Sequence, residues 1–261
     1  MRMLDLFSGI GGFALAAKWP WGEDLDLVGF CEIEKYAQKV LNKNFPGVPI
    51  YEDITKLNGN DFKDIDLITG GFPCPAFSVA GKRGGFRQDD IFFDLIRVCD
   101  ECKPKAIIFE NVQGFTKWRD TLHEEVENIG YDWGDAILDA RDFGVPQARR
   151  RYFAVCIRRG ELLNTQYLWG IQGKENQNIR RIQSNYKNSE RRWTPTIKTK
   201  EEWRTIFADS KRVRKNNGIP SRMDRFRKFG LGNAVVPQIP YIIGRQLYEL
   251  FQRNQKTREI I

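Results

Sequence analysis

The chain contains very little histidine, with His123 as the only one among its 261 residues. This scarcity nearly excludes catalytic triads built on a histidine base and metal sites built from several histidines. We expect His123 itself to be a surface residue of a helix.

Long hydrophobic runs are also missing. No apolar stretch approaches the roughly 20 residues that a membrane-spanning helix needs. The first residues, M-R-M-L-D-L-F, place an acid where a signal peptide would continue its apolar core. We therefore expect a cytoplasmic protein with no membrane partner.

Cysteines are few, and their number, five, is odd. An odd number in a long chain without a secretion signal argues against a disulfide framework, so we expect free thiols. Cys99 and Cys102 form a C-x-x-C, but they lie in an amphipathic helical pattern with no second cysteine pair and no nearby histidine. We expect no metal there.

Positive charge is concentrated in one region. Residues 160–231 contain 17 Lys and Arg against 7 Asp and Glu, whereas the whole chain has a net charge of +8. Aromatic residues, among them Trp169 and Trp193, are interspersed with these basic residues. The combination suits contact with phosphates and stacked bases, and the alternative is a solvated, salt-tolerant surface.

Apolar, β-rich runs alternate with segments of helical periodicity through residues 1–159. The runs are M-L-D-L-F, L-V-G-F-C, D-L-I-T-G, A-I-I-F-E, D-A-I-L-D and Y-F-A-V-C-I. This alternation predicts a doubly wound, Rossmann-like α/β sheet. The pattern stops in the basic region, 160–231, and a helical pattern resumes in 232–261, which we expect to return to the first domain.

The first strand runs into F-S-G-I-G-G-F, residues 7–13, and a helix follows. Its glycines allow a tight turn and a close approach of the backbone to a ligand. Glu32 ends the second strand and Asp53 follows the third segment, where acids can bind ribose hydroxyls, while Phe7 can flank an adenine. The spacing differs from G-x-G-x-x-G and favours a nucleoside cofactor without a pyrophosphate. The alternative is that the glycines only form a turn and both acids cap helices.

Cys74 stands between Pro73 and Pro75 just after a buried strand. A thiol held rigidly at a strand end is a candidate nucleophile, although the chain offers no neighbouring histidine to activate it.

Glu110 ends the next strand, and parallel strand ends meet at one edge of a sheet, so we expect it beside Cys74. A buried carboxyl there could hydrogen-bond a heterocycle and supply a proton. Arg149 and Arg151 follow with the strand period of two, which places both on one side. Paired arginines indicate an anionic group or an electron-rich carbonyl.

Five blocks, in this order and spacing, resemble the DNA cytosine-5 methyltransferase family: D-L-F-S-G-I-G-G-F, G-G-F-P-C-P-A-F-S, F-E-N-V, F-G-V-P-Q-A-R-R-R-Y-F and G-N-A-V-V-P-Q. The resemblance covers about three quarters of the chain and leaves the basic region unmatched. It implies that residues 1–159 are the catalytic and cofactor-binding domain and that 160–231 recognise the target. It also implies S-adenosylmethionine as the cofactor, held by Phe7, Ile10, Gly12, Glu32, Ile33, Asp53, Ile54, Pro73, Asn233 and Val235.

The resemblance further implies a role for each catalytic residue. Cys74 would add to carbon 6 of a flipped cytosine, Glu110 in its protonated form would bind ring nitrogen 3 and the exocyclic amine, and Arg149 and Arg151 would bind the carbonyl oxygen at carbon 2. DNA contacts are implied for a glycine-rich segment that contains Ser78, Lys82 and Arg83.

The implied partner is double-stranded DNA, with a cognate restriction endonuclease as a candidate that acts separately. We expect a monomer from a bacterial cell or a phage-infected host.

Two departures from the family pattern stand out. Pro75 occupies a position where the family commonly has glutamine, which puts the local DNA contacts in doubt but leaves the nucleophile in place. The block before G-N-A-V is replaced by G-I-P-S-R-M-D-R-F-R-K-F-G-L, which is similar to the corresponding segment of short phage members.

Three other functions are alternatives: a transfer-RNA cytosine methyltransferase on the same scaffold, a catalytically silent nucleic-acid-binding protein and an NAD-linked oxidoreductase.

Overall fold

A computed structural model describes residues 1–73, 91–143, 148–161 and 234–258, and within them one seven-stranded sheet carries helices on both faces. The strands are β1 (Arg2–Leu6), β2 (Asp26–Cys31), β3 (Ile50–Tyr51), β4 (Leu67–Gly70), β5 (Ala106–Val112), β6 (Tyr131–Asp139) and β7 (Arg150–Arg158). The helices are α1 (Gly12–Trp21), α2 (Lys35–Asn44), α3 (Ile91–Cys102), α4 (Arg119–Asn128) and α5 (Gln238–Arg258). The prediction of a doubly wound α/β sheet is confirmed.

The strand order is β3-β2-β1-β4-β5-β7-β6. The first five strands pair in parallel, whereas β7 pairs antiparallel with both of its neighbours. The chain builds outward from β1 in one direction and then crosses to β4 on the other side, so the crevice between β1 and β4 is the switch point where such sheets bind ligands. Because β7 is reversed, its first residues lie beside the last residues of β5.

The central strands are buried on both faces, which explains their nearly continuous apolar runs. All four residues of β4 and the last four of β1 are buried. On one face, α3 packs against the sheet with an apolar side that includes Phe92, Leu95 and Cys99, at helical spacing. The opposite face is covered by α1 and α5.

The helix α5 packs directly on α1, although more than 200 residues separate them in sequence. Ile239, Ile243 and Leu247 repeat at a spacing of four and are all buried in this contact. The ring of Trp21 meets the edge of Tyr248, with 6.0 Å between ring centroids. Residues 234–258 therefore belong to the same core as the first strands.

His123 is not on the surface, so that expectation was wrong. Its side chain is buried on α4, where the ring stacks on Trp133 and Nε2 lies 3.2 Å from the hydroxyl of Tyr152. Asp135 lies 3.4 Å from the same nitrogen and also binds Arg119 through two hydrogen bonds. A buried polar network between α4, β6 and β7 satisfies the imidazole, and the sequence of α4 alone does not reveal that network.

The four cysteines in the described part of the chain are buried free thiols, as expected: Cys31, Cys99, Cys102 and Cys156. Both cysteines of the C-x-x-C lie on the buried side of α3, and the Cys102 thiol donates a hydrogen bond to the carbonyl of Gly59 at 3.3 Å. Burial raises the pKa of Cys102 to about 12, which keeps this sulfur protonated and inert.

None of the helices in the described ranges is both long enough and apolar enough to cross a membrane.

We predict that Gly12→Ala destabilises the contact between α1 and the segment before α5. A β-carbon at residue 12 would lie 2.5 Å from Cγ1 and 2.9 Å from the carbonyl oxygen of Val235, so the backbone of one segment must move. Overpacking of this kind costs roughly 1–3 kcal/mol of unfolding free energy, which urea denaturation measures.

The matched control is Gly114→Ala, because an added β-carbon there meets no atom within 4 Å. An equal loss of stability in both variants would contradict the proposed close contact.

Candidate active site

The turn between β1 and α1 has an unusual backbone. Gly9 and Gly11 have φ angles of +54° and +87°, and Phe7 has a φ of +51° although it carries a side chain. Residues other than glycine rarely adopt this left-handed conformation, and such strain concentrates at functional sites. The turn lies at the carboxyl end of β1, at the switch point of the sheet.

Glu32 lies just beyond the end of β2, and its carboxylate is held by this turn. Oε2 accepts a hydrogen bond from the amide of Gly9 at 2.7 Å, and Oε1 accepts one from the amide of Glu34 at 2.7 Å. A carboxylate has about four acceptor positions, so two accept no hydrogen bond from the described part of the chain. Glu32 is therefore fixed in orientation and can still accept hydrogen bonds from a ligand.

Asp53 and Ile54 lie beside β2, at the start of a short 3-10 turn (Ile54–Lys56). Asp53 caps this turn by accepting from the amide and the hydroxyl of Thr55 at 3.0 and 2.7 Å. These hydrogen bonds hold the pKa of Asp53 below its usual range, so it is ionised. The structure thus confirms the capping alternative for Asp53, and its predicted binding of a ribose stays a prediction.

The other predicted cofactor residues differ in exposure. Ile33 is 69% exposed, although it is a large apolar residue, while Ile54 is buried. Pro73 is exposed at the end of the described segment 1–73. An apolar side chain that remains in water next to Glu32 is suited to cover the face of a ligand.

Val235 reaches the glycine turn from the distant end of the chain, in contact with Gly12. A cavity of about 600 Å³ lies at this junction, with Ile10, Gly12 and Val235 in its wall. Lys18 and Arg149 also line the cavity. Asn233, which was predicted with Val235, lies outside the described residues.

Asp5 is a buried acid that the sequence reasoning did not assign. It lies in β1, fully buried, where Oδ1 accepts a hydrogen bond from the Thr69 hydroxyl at 2.5 Å. Oδ2 accepts no hydrogen bond from the described part of the chain. Burial, reinforced by the negative charge of Glu32 and only partly offset by Thr69, raises the pKa of Asp5 to about 7. The signal in the sequence is a lone acid inside the apolar run M-L-D-L-F.

Glu110 lies near the end of β5 and is 7% exposed. Its Oε1 is 3.0 Å from Nε of Arg151 in an ion pair, so Arg151 is the nearest positive charge to this oxygen that the described ranges show. Burial raises the pKa of Glu110 to about 7, although Arg151 and Arg149 act in the opposite direction. An acid with this pKa can donate or accept a proton near neutral pH.

The two predicted arginines both lie near Glu110 but have different partners. In the antiparallel pairing of β5 with β7, Arg151 lies opposite Val112, and the next pair is Tyr152 opposite Asn111. Arg149, just before β7, is buried and donates from Nη2 to the carbonyl of Ala234 at 2.6 Å. Arg149 therefore connects the site to the segment that leads into α5.

Asn111 connects β5 to the end of β4. Its Nδ2 donates to the carbonyl of Phe72 at 3.0 Å, two residues before Cys74. A β-carbon on Gly71 would lie 3.3 Å from Oε2 of Glu110, so the chain that leads to Cys74 passes close to this carboxyl. Cys74 and the predicted DNA contacts Ser78, Lys82 and Arg83 lie outside the described residues.

The structure thus brings two groups of predicted residues to one edge of the sheet. Glu110, Arg149 and Arg151 form one group. The other group surrounds the glycine turn: Phe7, Ile10, Gly12, Glu32, Ile33, Asp53, Ile54 and Val235. Their catalytic and binding roles remain predictions.

A model of one protein family matches most of this chain. The family model described as C-5 cytosine-specific DNA methylase matches residues 1–230. The type II methyltransferase M.HhaI of Haemophilus parahaemolyticus is 37% identical over 165 residues, which are 60% of this chain and 49% of that protein. The orphan methyltransferase M.SPRI of Bacillus phage SPR is 32% identical over 208 residues, 74% of this chain and 47% of the phage protein.

A crystal structure of a DNMT2 variant from Spodoptera frugiperda has a similar fold, with a TM-score of 0.52 and 26% identity. The similarity covers 66% of this chain and 53% of the insect protein. The chain spans about half the length of the relatives that it matches.

We predict that Asp5→Asn changes the pH dependence of stability. Folded Asp5 keeps its proton up to about pH 7, whereas unfolded Asp5 loses it near pH 4, so the free energy of unfolding of the parent protein falls as pH rises between these values. The asparagine variant lacks this loss. Relative to the parent, it should gain up to roughly 4 kcal/mol between pH 4 and pH 8.

Urea denaturation at several pH values measures this difference. Glu110 also has a raised pKa and contributes to the pH dependence of the unfolding free energy. This contribution is the same in the parent and in the variant, so it cancels in the comparison. Parallel stability curves for the two proteins would rule out a retained proton on Asp5.

Proposed function

The chain belongs to the C-5 cytosine-specific DNA methylase family, and from this membership we propose that it transfers a methyl group from S-adenosylmethionine to carbon 5 of a cytosine in double-stranded DNA. The family match confirms the resemblance that the five sequence blocks indicated. Because the chain spans about half the length of its relatives, the proposal is argued from the residues that it contains.

The residues around the glycine turn fit an adenosine-containing cofactor. Glu32 is oriented by two backbone amides and retains acceptor positions for ribose hydroxyls. The exposed Ile33 and the left-handed Phe7 are suited to the two faces of an adenine ring. We propose that these residues, together with Ile10, Gly12, Asp53, Ile54, Pro73, Asn233 and Val235, hold S-adenosylmethionine, which supplies an electrophilic methyl group when bound.

The observation that carries the proposal is the position of Glu110. The carboxyl group of Glu110 has a pKa near 7 and forms an ion pair with Arg151 of the neighbouring strand β7. It also lies beside Gly71, and Gly71 precedes Cys74, the cysteine between two prolines, by three residues. A cytosine ring needs a nucleophile for carbon 6, an acid for nitrogen 3 and a cation for the carbonyl oxygen. Cys74, Glu110 and the two arginines supply one group for each need.

We infer the following sequence of bond changes. The Cys74 thiolate forms a bond to carbon 6 of the cytosine, and protonated Glu110 hydrogen-bonds nitrogen 3 to stabilise the charge that develops on the ring. The electron pair released to carbon 5 forms a bond to the methyl carbon, whose bond to the sulfonium sulfur would break and leave its electron pair on sulfur, with S-adenosylhomocysteine as the leaving group. The proton on carbon 5 then leaves to water, and expulsion of the Cys74 thiolate restores the aromatic ring.

Arg151 is the arginine better placed to bind the cytosine carbonyl. Arg151 forms an ion pair with Glu110. If Glu110 binds nitrogen 3 of the cytosine, Arg151 is therefore close to the neighbouring carbonyl at carbon 2. Arg149 donates to Ala234, which supports a role in holding the segment 234–238 beside the glycine turn in addition to the predicted role at carbon 2.

A cytosine inside a duplex cannot reach a thiol at a strand end, so the base must be flipped out at a cost of a few kcal/mol. We propose that the basic region, 160–231, binds the DNA backbone and offsets this cost, and that Ser78, Lys82 and Arg83 contact the DNA near the flipped base. We expect a monomer, with any cognate restriction endonuclease acting separately.

We predict that the protein, expressed in a host without DNA methylation, places 5-methylcytosine at one short sequence. Cys74→Ala should abolish the modification, because the variant cannot form the bond to carbon 6, while binding of S-adenosylmethionine persists. Bisulfite sequencing of the recovered DNA measures the modification, and calorimetry measures cofactor binding.

Duplex DNA that carries 5-fluorocytosine is a second substrate, since the fluorine blocks the loss of the group on carbon 5 and should trap the parent protein covalently. Methylation by the alanine variant would refute the role of Cys74. Modified cytosine in RNA but not in DNA would favour the transfer-RNA alternative.

We predict that kcat/KM for DNA falls as pH rises above about 7. The protonated form of Glu110 is the active one, and burial places its pKa near 7, so the fraction of active protein falls about tenfold for each pH unit above that value. Glu110→Gln should be far slower at pH 6 and should lose this alkaline decline. The same alkaline decline in both proteins would show that another group is responsible.

A further inference from the structure

Arg97, on α3, binds two backbone carbonyls in a distant part of the chain. Nη1 donates to the carbonyl of Leu57 at 2.8 Å, and Nη2 donates to the carbonyl of Ile54 at 2.9 Å. Asp94 and Glu101, one turn before and one turn after on the same helix, each bind the guanidinium at 3.1 Å. The guanidinium is thus fixed by its own helix and directed at the loop after β3.

The two carbonyls belong to the 3-10 turn that follows Asp53 and to its capping residue. The carbonyl of Ile54 also accepts a hydrogen bond from the amide of Leu57 at 3.2 Å, which closes the turn, whereas the carbonyl of Leu57 follows the turn and has no partner within it. Arg97 binds both carbonyls with a single planar group. Hydrogen bonds to a charged donor are stronger than those between neutral groups, so this contact fixes the position of the turn.

Two further side chains of α3 hold the next residues of the loop. Glu101 accepts a hydrogen bond from the amide of Gly59 at 2.7 Å, and the thiol of Cys102 donates to the carbonyl of the same residue. A β-carbon on Gly59 would lie 2.6 Å from Cβ of Glu101, so the loop and the helix are in close contact. The position of the loop is therefore set by α3.

We propose that Arg97 is a positioning residue for the adenosine end of the cofactor site, an inference that rests on the proposed function. It holds the turn that begins at Ile54, and through that turn it sets where Asp53 and Ile54 stand relative to Glu32. Arg97 contacts neither the cofactor nor the cytosine in this assignment.

The expected consequence is weaker cofactor binding with little change in the chemical step. Arg97→Met removes both hydrogen bonds to the turn, and the equilibrium dissociation constant for S-adenosylmethionine should rise roughly tenfold. The KM for the cofactor should rise with it, whereas kcat should stay within about twofold, because the adenosine end is remote from the transferred methyl group. Arg97→Lys should be intermediate, since an ammonium can reach one carbonyl but cannot present a planar pair of donors.

The test measures binding of S-adenosylmethionine and S-adenosylhomocysteine by calorimetry, and the thermal unfolding of the same samples without ligand. The matched control is Arg119→Met. Arg119 makes a bidentate contact with Asp135 on β6, and its side chain is exposed to a similar degree, 40% against 36% for Arg97. The control should lower the unfolding temperature by a similar amount and leave the dissociation constant unchanged.

Each outcome decides a different point. If both arginine variants weaken cofactor binding equally, or if Arg97→Met binds like the parent, the positioning role is wrong. Arg97→Lys keeps the test valid if the methionine variant does not fold. If the unmodified protein fails to bind S-adenosylmethionine at all, the proposed function fails, and this result is distinct from a failure of the inference.

Discussion

A carboxyl group kept almost entirely out of water, where β4, β5 and β7 meet, is the constraint on which the site depends. Gly71 leaves room for the oxygens of Glu110, since a β-carbon there would lie 3.3 Å from Oε2, and Arg151 provides a counter-charge for the ionised form. A buried charge without such compensation would be too costly to retain. The balance between burial and the nearby arginines holds the group near the point where it gains or loses a proton, which is what an acid working at neutral pH requires.

Local patterns in the sequence were sufficient for much of this architecture. Six apolar runs correspond to β1, β2 and β4 through β7, because buried strands and amphipathic helices are marked by the spacing of their apolar residues. The rule that strand ends share an edge then located Glu32 and Glu110 correctly at that edge. The strand period of two grouped Arg149 with Arg151, and both lie close enough to Glu110 to lower its pKa.

Other features depend on contacts between distant residues and leave little trace in the sequence. The two-residue strand β3 is too short to show a period, and the reversal of β7, which brings Arg151 to the rim, is a property of the whole sheet. His123 looks like a surface residue until Asp135 and Tyr152 are placed beside it. Arg97 has ordinary helical partners at three and four positions, and only the packing of α3 shows which carbonyls it binds.

The contact between Val235 and Gly12 has a consequence for how the protein folds during its synthesis. One part of the wall of the cavity of about 600 Å³ comes from the glycine turn and another part from residues 234–238. A ribosome therefore has to add more than 220 further residues after the glycine turn before these two parts can meet. A nascent chain that stops before residue 234 lacks this second part of the wall, so premature termination should leave the cavity open on that side.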